Sequence, residues 1–183
     1  MQPPHQPDAI AAPPPEGPYP LMLTGPGGAL CLAYPAEFAH HTLLPALGWV
    51  AEHCPDLDAA VQELIWVISH PRNRLIPEGM RLATLGGTTQ PLLRRAATCR
   101  TGRHRPCDPE RAMALVAALV AWPMVSGESC FDELTTTLAV FEMKGIDVDY
   151  AEVSELPNGD IPLKLSAYGH VVELVIPATE LAQ

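Results

Sequence analysis

Eleven consecutive residues, Ala112 to Trp122, contain no polar side chain. Asp108 precedes them as a natural helix N-cap, Pro109 suits the first helical position, and Glu110 places an acid in the first turn. The segment therefore reads as a helix that is apolar on every side. Such a helix has to sit in the middle of a core or in a membrane. The run extends only to Val125, and Pro123 interrupts it. It falls short of the roughly 20 residues that cross a bilayer, so the core is the expected place and no membrane span is expected. Its alanines at 114, 117, 118 and 121 let neighbouring elements approach closely. A chain of 183 residues can bury a helix of this kind without disulfide or metal staples.

The remaining elements are those that could surround it. Leu21–Thr24 and Ala29–Tyr34 flank Gly25-Pro26-Gly27-Gly28 and read as a β-hairpin. No Gly-Lys-Ser/Thr follows, so a tight turn explains these glycines better than a phosphate loop. Pro35 to Leu44 opens one helix, and Pro45 opens a second that ends near Cys54-Pro55. Asp56 or Asp58 caps a third, with Ala60, Val61, Leu64, Ile65 and Ile68 on one side, before Pro71. A short strand is expected at Met80–Leu85, a break at Gly86-Gly87, and a short helix from Gln90 to Ala97. After the apolar helix, Ser126 or Ser129 starts another, Ser129 with Asp132 resembling a capping box. Phe131, Leu134, Leu138 and Phe141 recur at helical spacing up to Gly145.

From Ile146 the period changes to two. Ile146, Val148 and Tyr150 alternate with acids, Pro157-Asn158-Gly159-Asp160 is a turn, Ile161, Leu163 and Leu165 alternate, and Val171–Ile176 completes a meander. The expected class is α+β: a central helical bundle on a small antiparallel sheet built mainly from the C-terminal third. The first 20 residues hold eight prolines and read as a disordered tail, leaving 21–183 as one domain. The N-terminus lacks a basic, apolar leader, and the five cysteines are odd in number and scattered. Reduced thiols in a cytoplasmic protein are expected.

Charge is the other informative feature. The formal net charge is −10, yet nine of the eleven cations lie between Arg72 and Arg111, against only three acids, Glu78, Asp108 and Glu110. That window carries +6; the rest, with two lysines and eighteen acids, carries −16. All nine are arginines, the residue suited to bidentate contacts with carboxylate or phosphate. Arg94, Arg95, Arg100, Arg103 and Arg105 form the densest part, with Thr101-Gly102 as a turn among them. These five are the candidate anion-binding and partner-binding residues. The bland alternative is a solvated loop, or arginines paired with the protein's own acids. No aromatics are interleaved, so stacking on single-stranded nucleic acid is not supported.

Sites of other chemistry are weaker. Cys99, His104 and Cys107 have a Cys-x4-His-x2-Cys spacing, but zinc wants four ligands and no second pair stands nearby. His53, Cys54 or Cys130 would have to supply the fourth, so no metal and no cofactor is expected. His53-Cys54 has the residue types of a base and nucleophile, although sequence neighbours rarely have the needed geometry. His40-His41 point about 100° apart on a helix, which suits surface positions better than one metal. Ser126-Gly127-Glu128-Ser129 lacks the final glycine of a nucleophile elbow.

The expected function is therefore that of a non-enzymatic interaction or accessory protein that contacts an anionic surface through the Arg94–Arg105 segment. A protein partner is preferred over nucleic acid, because the net charge of −10 opposes DNA approach. A nucleic-acid-associated regulator using the same arginines is the first alternative. An enzyme built from distant residues such as His53, Cys54, Cys99 and His104 is the second, and an acidic DNA mimic the third. A homodimer through Val171–Ile176 is also compatible with the sequence, if that strand lies at a sheet edge.

Overall fold

The apolar run forms the central helix of the molecule. The computed structural model describes residues 15–70, 76–86 and 107–183. Its elements in chain order are strands β1 (Leu21–Thr24) and β2 (Leu30–Pro35), and helices α1 (Ala36–Phe38), α2 (Leu44–His53) and α3 (Asp58–Ser69). Strand β3 (Met80–Thr84) and helices α4 (Pro109–Ser126) and α5 (Phe131–Met143) follow. Strands β4 (Val148–Glu152), β5 (Ile161–Ala167) and β6 (His170–Ile176) complete the set. The class is α+β. The short helix expected at Gln90–Ala97 lies outside the described residues.

Helix α4 starts as its sequence dictates. Asp108 is extended, and its Oδ1 accepts from the Glu110 amide at 2.9 Å. Every residue from Arg111 to Ala121 is buried. The helix packs against α2 and α3 on one side and against β5, with β4 and β6, on the other. It also runs further than Trp122: Pro123 lies inside it, and Gly127, left-handed at φ 78°, ends it by donating to the Pro123 carbonyl at 2.9 Å.

Two antiparallel three-stranded sheets flank this helical centre, ordered β1-β2-β3 and β4-β5-β6. The C-terminal meander is the expected sheet. The hairpin did not extend it but took β3 as a partner and made a sheet of its own, with Leu32 opposite Ala83. Alternate residues of β2 feed two separate apolar clusters. Leu30, Leu32 and Tyr34 enter the main core, whereas Cys31 and Ala33 meet Met80 and Leu82 on the other face. A strand covered on both faces reads as a continuous apolar run, which is how Leu30–Tyr34 appears in the sequence. Tyr19, Leu21 and Leu23 pack on the smaller cluster, and Pro20 is buried, so packing reaches ahead of Leu21.

The two helices expected on either side of Pro45 are joined. Helix α1 continues through one wide π-turn, Ala39–Leu43, into α2. Proline has no N–H and crowds the carbonyl four residues before it, so a wider turn just ahead of Pro45 accommodates the ring. Helix α5 starts at Phe131, later than either serine expected to open it. Ser129 Oγ still accepts from the Phe131 amide at 3.4 Å, while Ser126 Oγ bonds back to the Trp122 carbonyl at 2.8 Å.

In the C-terminal sheet, Leu163, Leu165, Ala167, Val172, Leu174 and Ile176 face the core. Tyr168 and Gly169, both at positive φ, make the two-residue turn between β5 and β6. Strand β6 is an edge strand, the position a dimer contact would need, and it exposes Val171 and Val175 on its outer face. Among the described residues, no helix is long and apolar enough to cross a membrane.

One buried polar contact ties the first sheet to α5. Tyr34 Oη and Thr137 Oγ1 lie 2.9 Å apart, both fully buried, and Tyr34 stacks on Phe38. Burial pushes the Tyr34 phenol well above its ordinary value, so it stays neutral. Tyr34→Phe orphans the Thr137 hydroxyl and is expected to lower stability by about 1–2 kcal/mol in urea unfolding. An unchanged midpoint would show that Thr137 finds another partner.

Candidate functional site

The five candidate arginines, Arg94, Arg95, Arg100, Arg103 and Arg105, lie outside the described residues, as do Cys99 and His104. The structure does describe the residues on either side of that segment. On the outgoing side, the Leu85 amide donates to the Leu30 carbonyl at 2.9 Å, continuing the β2–β3 pairing past Thr84. On the returning side, the Asp108 amide donates to the Leu85 carbonyl at 2.7 Å. Leu85 thus bonds on both sides, to the chain that precedes the 87–106 stretch and to the chain that follows it.

Arg111 lies beneath that point. It is 2% exposed and forms an ion pair through Nη2 with Glu63 Oε2 of α3, itself 7% exposed. Its Nη1 donates to the Thr84 carbonyl at 3.1 Å and to the Gly86 carbonyl at 3.4 Å. Desolvation lowers the Arg111 pKa to about 10, which leaves the guanidinium charged at neutral pH. One side chain therefore joins the first turn of α4, the middle of α3, the end of β3 and the departing chain. Arg111 belongs to the positive window in the sequence, but burial withdraws it from any partner. Glu63 was not singled out by sequence reasoning. Its signal was available: it stands three residues after Ala60 and next to Leu64 on the apolar stripe of α3.

Cys107, the described member of the Cys-x4-His-x2-Cys set, is buried beside this root. Burial, reinforced by the Asp108 carboxylate, pushes its thiol up to about 12. A protonated thiol is a poor zinc ligand and a poor nucleophile. Cys130 is likewise pushed up to about 11 by burial, with Glu133 and Glu128 adding to it, and burial raises Cys54 and Cys31 as well. Among the described residues, no group of three or more His, Cys, Asp or Glu is placed to hold a metal.

His53 and Cys54 do not form a base–nucleophile pair. The imidazole stacks on Trp49, with ring centroids 4.0 Å apart. Its Nδ1 lies 2.8 Å from the Trp49 carbonyl and its Nε2 3.0 Å from the Glu180 carboxylate. Trp49 Nε1 donates to the same carboxylate at 2.7 Å. These donors, the indole first, hold the Glu180 carboxyl below its usual range. The ring therefore fastens the C-terminal segment to α2 and leaves Cys54 inside the core. His40 is exposed, and its Nε2 accepts from Arg81 Nε at 3.3 Å; His41 is exposed beside it.

The described surface is strongly one-sided in charge. Twenty of the 21 acids are described, whereas the described cations are Arg81, Arg111, Lys144 and Lys164. The other seven cations are all arginines, within the stretches 71–75 and 87–106, which contain no acid. Both stretches adjoin β3, one before it and one after it.

The chain matches no protein-family model, no curated protein and no solved structure, so its chemistry rests on its own residues.

Two outcomes follow from these contacts. Glu63→Ala strands a buried guanidinium and is expected to destabilise the protein by about 3–5 kcal/mol in urea unfolding. Replacing both partners, Glu63→Leu with Arg111→Met, should cost less than that single change, since no unpaired charge remains. A double variant as unstable as the single one would assign the loss to the carbonyl contacts instead. For Glu180 the sign is that of a depressed carboxyl. Its contribution is present above the usual carboxylate range and is lost as the pH falls through the lowered value. The Trp49 indole N–H resonance should titrate below the usual carboxylate range, and Glu180→Gln should flatten that step. A step at the ordinary carboxylate value would contradict the contact.

Proposed function

We propose that this protein is a non-enzymatic interaction protein that engages an anionic surface, that of an acidic protein partner, through Arg94, Arg95, Arg100, Arg103 and Arg105. The carrying observation is the separation of charge. Twenty of the 21 acids lie in the described residues, and seven of the eleven cations fall in two acid-free stretches of sequence. Guanidinium groups at this density can meet carboxylates in bidentate pairs. The net charge of −10 raises the electrostatic cost of approaching DNA, which favours a protein partner whose acids are locally grouped.

The root of the segment supports the same reading. Leu85 bonds to the chain on both sides of the 87–106 stretch, and the buried Arg111–Glu63 pair holds the neighbouring chain against α3 and α4. A thiol-based enzyme is less well supported, because the described thiols are buried with raised pKa values.

The test compares wild type with the triple variant Arg100→Glu, Arg103→Glu, Arg105→Glu in a pull-down from the native host at low and moderate salt. The expected result is one or more protein partners held by wild type at low salt and lost in the variant, with wild-type capture weakening at moderate salt so that the difference narrows. Recovery of nucleic acid instead would replace the protein-partner reading with a nucleic-acid one. An unchanged partner list would overturn the arginine proposal.

A further inference from the structure

A second surface, built from other elements, has the form of a peptide slot. Strand β4 is the edge of its sheet. The Val153 amide donates to the Pro162 carbonyl at 2.9 Å, which sets the phase of the β4–β5 ladder. Hydrogen-bonded and non-bonded pairs alternate in an antiparallel ladder, so Ala151 and Asp149 bond to β5. Val148, Tyr150 and Glu152 then direct their main-chain N–H and C=O groups away from β5. Among the described residues, no other strand pairs with that edge.

Beside the open edge lies a groove of about 430 Å³ between β4 and α5. Leu138, Phe141, Ile146 and Val148 supply its apolar lining. Glu142, Asp147 and Asp149 add three carboxylates, and among the described residues no Lys or Arg lines it. Tyr150 is 39% exposed at its end. The register places Tyr150 opposite Leu165 and Glu152 opposite Leu163, on the face that continues into the core. A strand added beside β4 would therefore extend that face over the groove.

We propose that this edge and groove bind an extended basic segment of a partner protein, which adds to the sheet as a strand beside β4. Main-chain hydrogen bonds to Val148, Tyr150 and Glu152 supply the pairing. Apolar side chains at every second position enter the groove, and Lys or Arg between and beside them meet Glu142, Asp147 and Asp149. Charge selects this occupant. Pairing β4 with β4 of a second copy would gather Asp147, Asp149, Glu152 and Glu155 from both chains, and like charges across a strand pair are destabilising. This surface is independent of the arginine segment, so either proposal can fail without the other.

The test uses the full-length protein and a fluorescent peptide of about eight residues that alternates Val with Lys. A second peptide carries Glu in place of Lys. Tyr150→Val keeps the outward N–H, whereas Tyr150→Pro removes it. The ladder bonds to β5 belong to residues 149 and 151, so this edge position tolerates proline. Expected are binding of the Val–Lys peptide only and a loss of about tenfold or more for Tyr150→Pro relative to Tyr150→Val. Shift changes should centre on the amides of Val148, Tyr150 and Glu152. If Tyr150→Pro fails to fold, Glu142→Lys with Asp149→Lys decides: a folded double variant should bind about tenfold more weakly. The triple arginine variant should bind the peptide as wild type does. Equal binding by the proline and valine variants, an unchanged affinity of the folded lysine variant, equal binding of both peptides, no binding, or self-association that occupies the edge would each overturn the proposal.

Discussion

A charge pair sits where an apolar core has least tolerance for it. Arg111 is in the first turn of a helix whose next ten residues are buried without exception, and its partner Glu63 projects from the apolar stripe of α3. Removing two charges from water is costly, and only close pairing with further hydrogen bonds offsets it. Those bonds go to the Thr84 and Gly86 carbonyls. The arrangement defines which turn of α4 meets which turn of α3, and where β3 must end. Arg111 is thus the joint at which the helical centre, the first sheet and the departing arginine segment meet.

From that joint, the rest of the packing follows the demands of α4. A helix apolar all round needs cover on every side, and one three-stranded sheet is too narrow to supply it. The cover comes from α2 and α3 on one side and the C-terminal sheet on the other. Its alanines keep these layers close. The first sheet then packs outside, with β2 buried on both faces, so a second small cluster of Cys31, Ala33, Met80 and Leu82 closes its far side. The contact between Tyr34 and Thr137 crosses from this sheet to α5 and adds direction to what is otherwise non-directional burial.

The surface divides by charge rather than by layer. The described residues carry nearly all the acids, and seven of the nine arginines belong to two acid-free stretches of sequence before and after β3. Two docking surfaces of opposite sign are a consistent reading of that division. The arginine segment suits an acidic partner. The β4 edge, with a groove beside it that three carboxylates line, suits a basic one. An edge strand of this kind invites association with other chains unless it is guarded. Its acids act as such a guard against a second copy while leaving the slot open to a basic strand.

Much of this was legible in the residues. The N-cap at Asp108, the burial of Ala112–Ala121, the period-two meander and its Asn158-Gly159 turn all rest on local geometry, which a linear pattern records. So did the α+β class. The pattern could not show that Leu30–Tyr34 is a central strand, because a continuous apolar run fits an arm of a hairpin as well as a strand covered on both faces. It could not show that Pro45 is accommodated by a π-turn rather than by a break, since that depends on how tightly α2 packs. It counted Arg111 in the positive window without showing that this one is buried against Glu63, because charge is visible in sequence and burial is not. Nor could it place Glu142 of α5 beside Asp147 and Asp149 along a strand edge. Local preferences and periodicity are properties of neighbours in the chain; pairing, edges and the fate of a charge depend on contacts between residues far apart in it, and those exist only once the layers have closed.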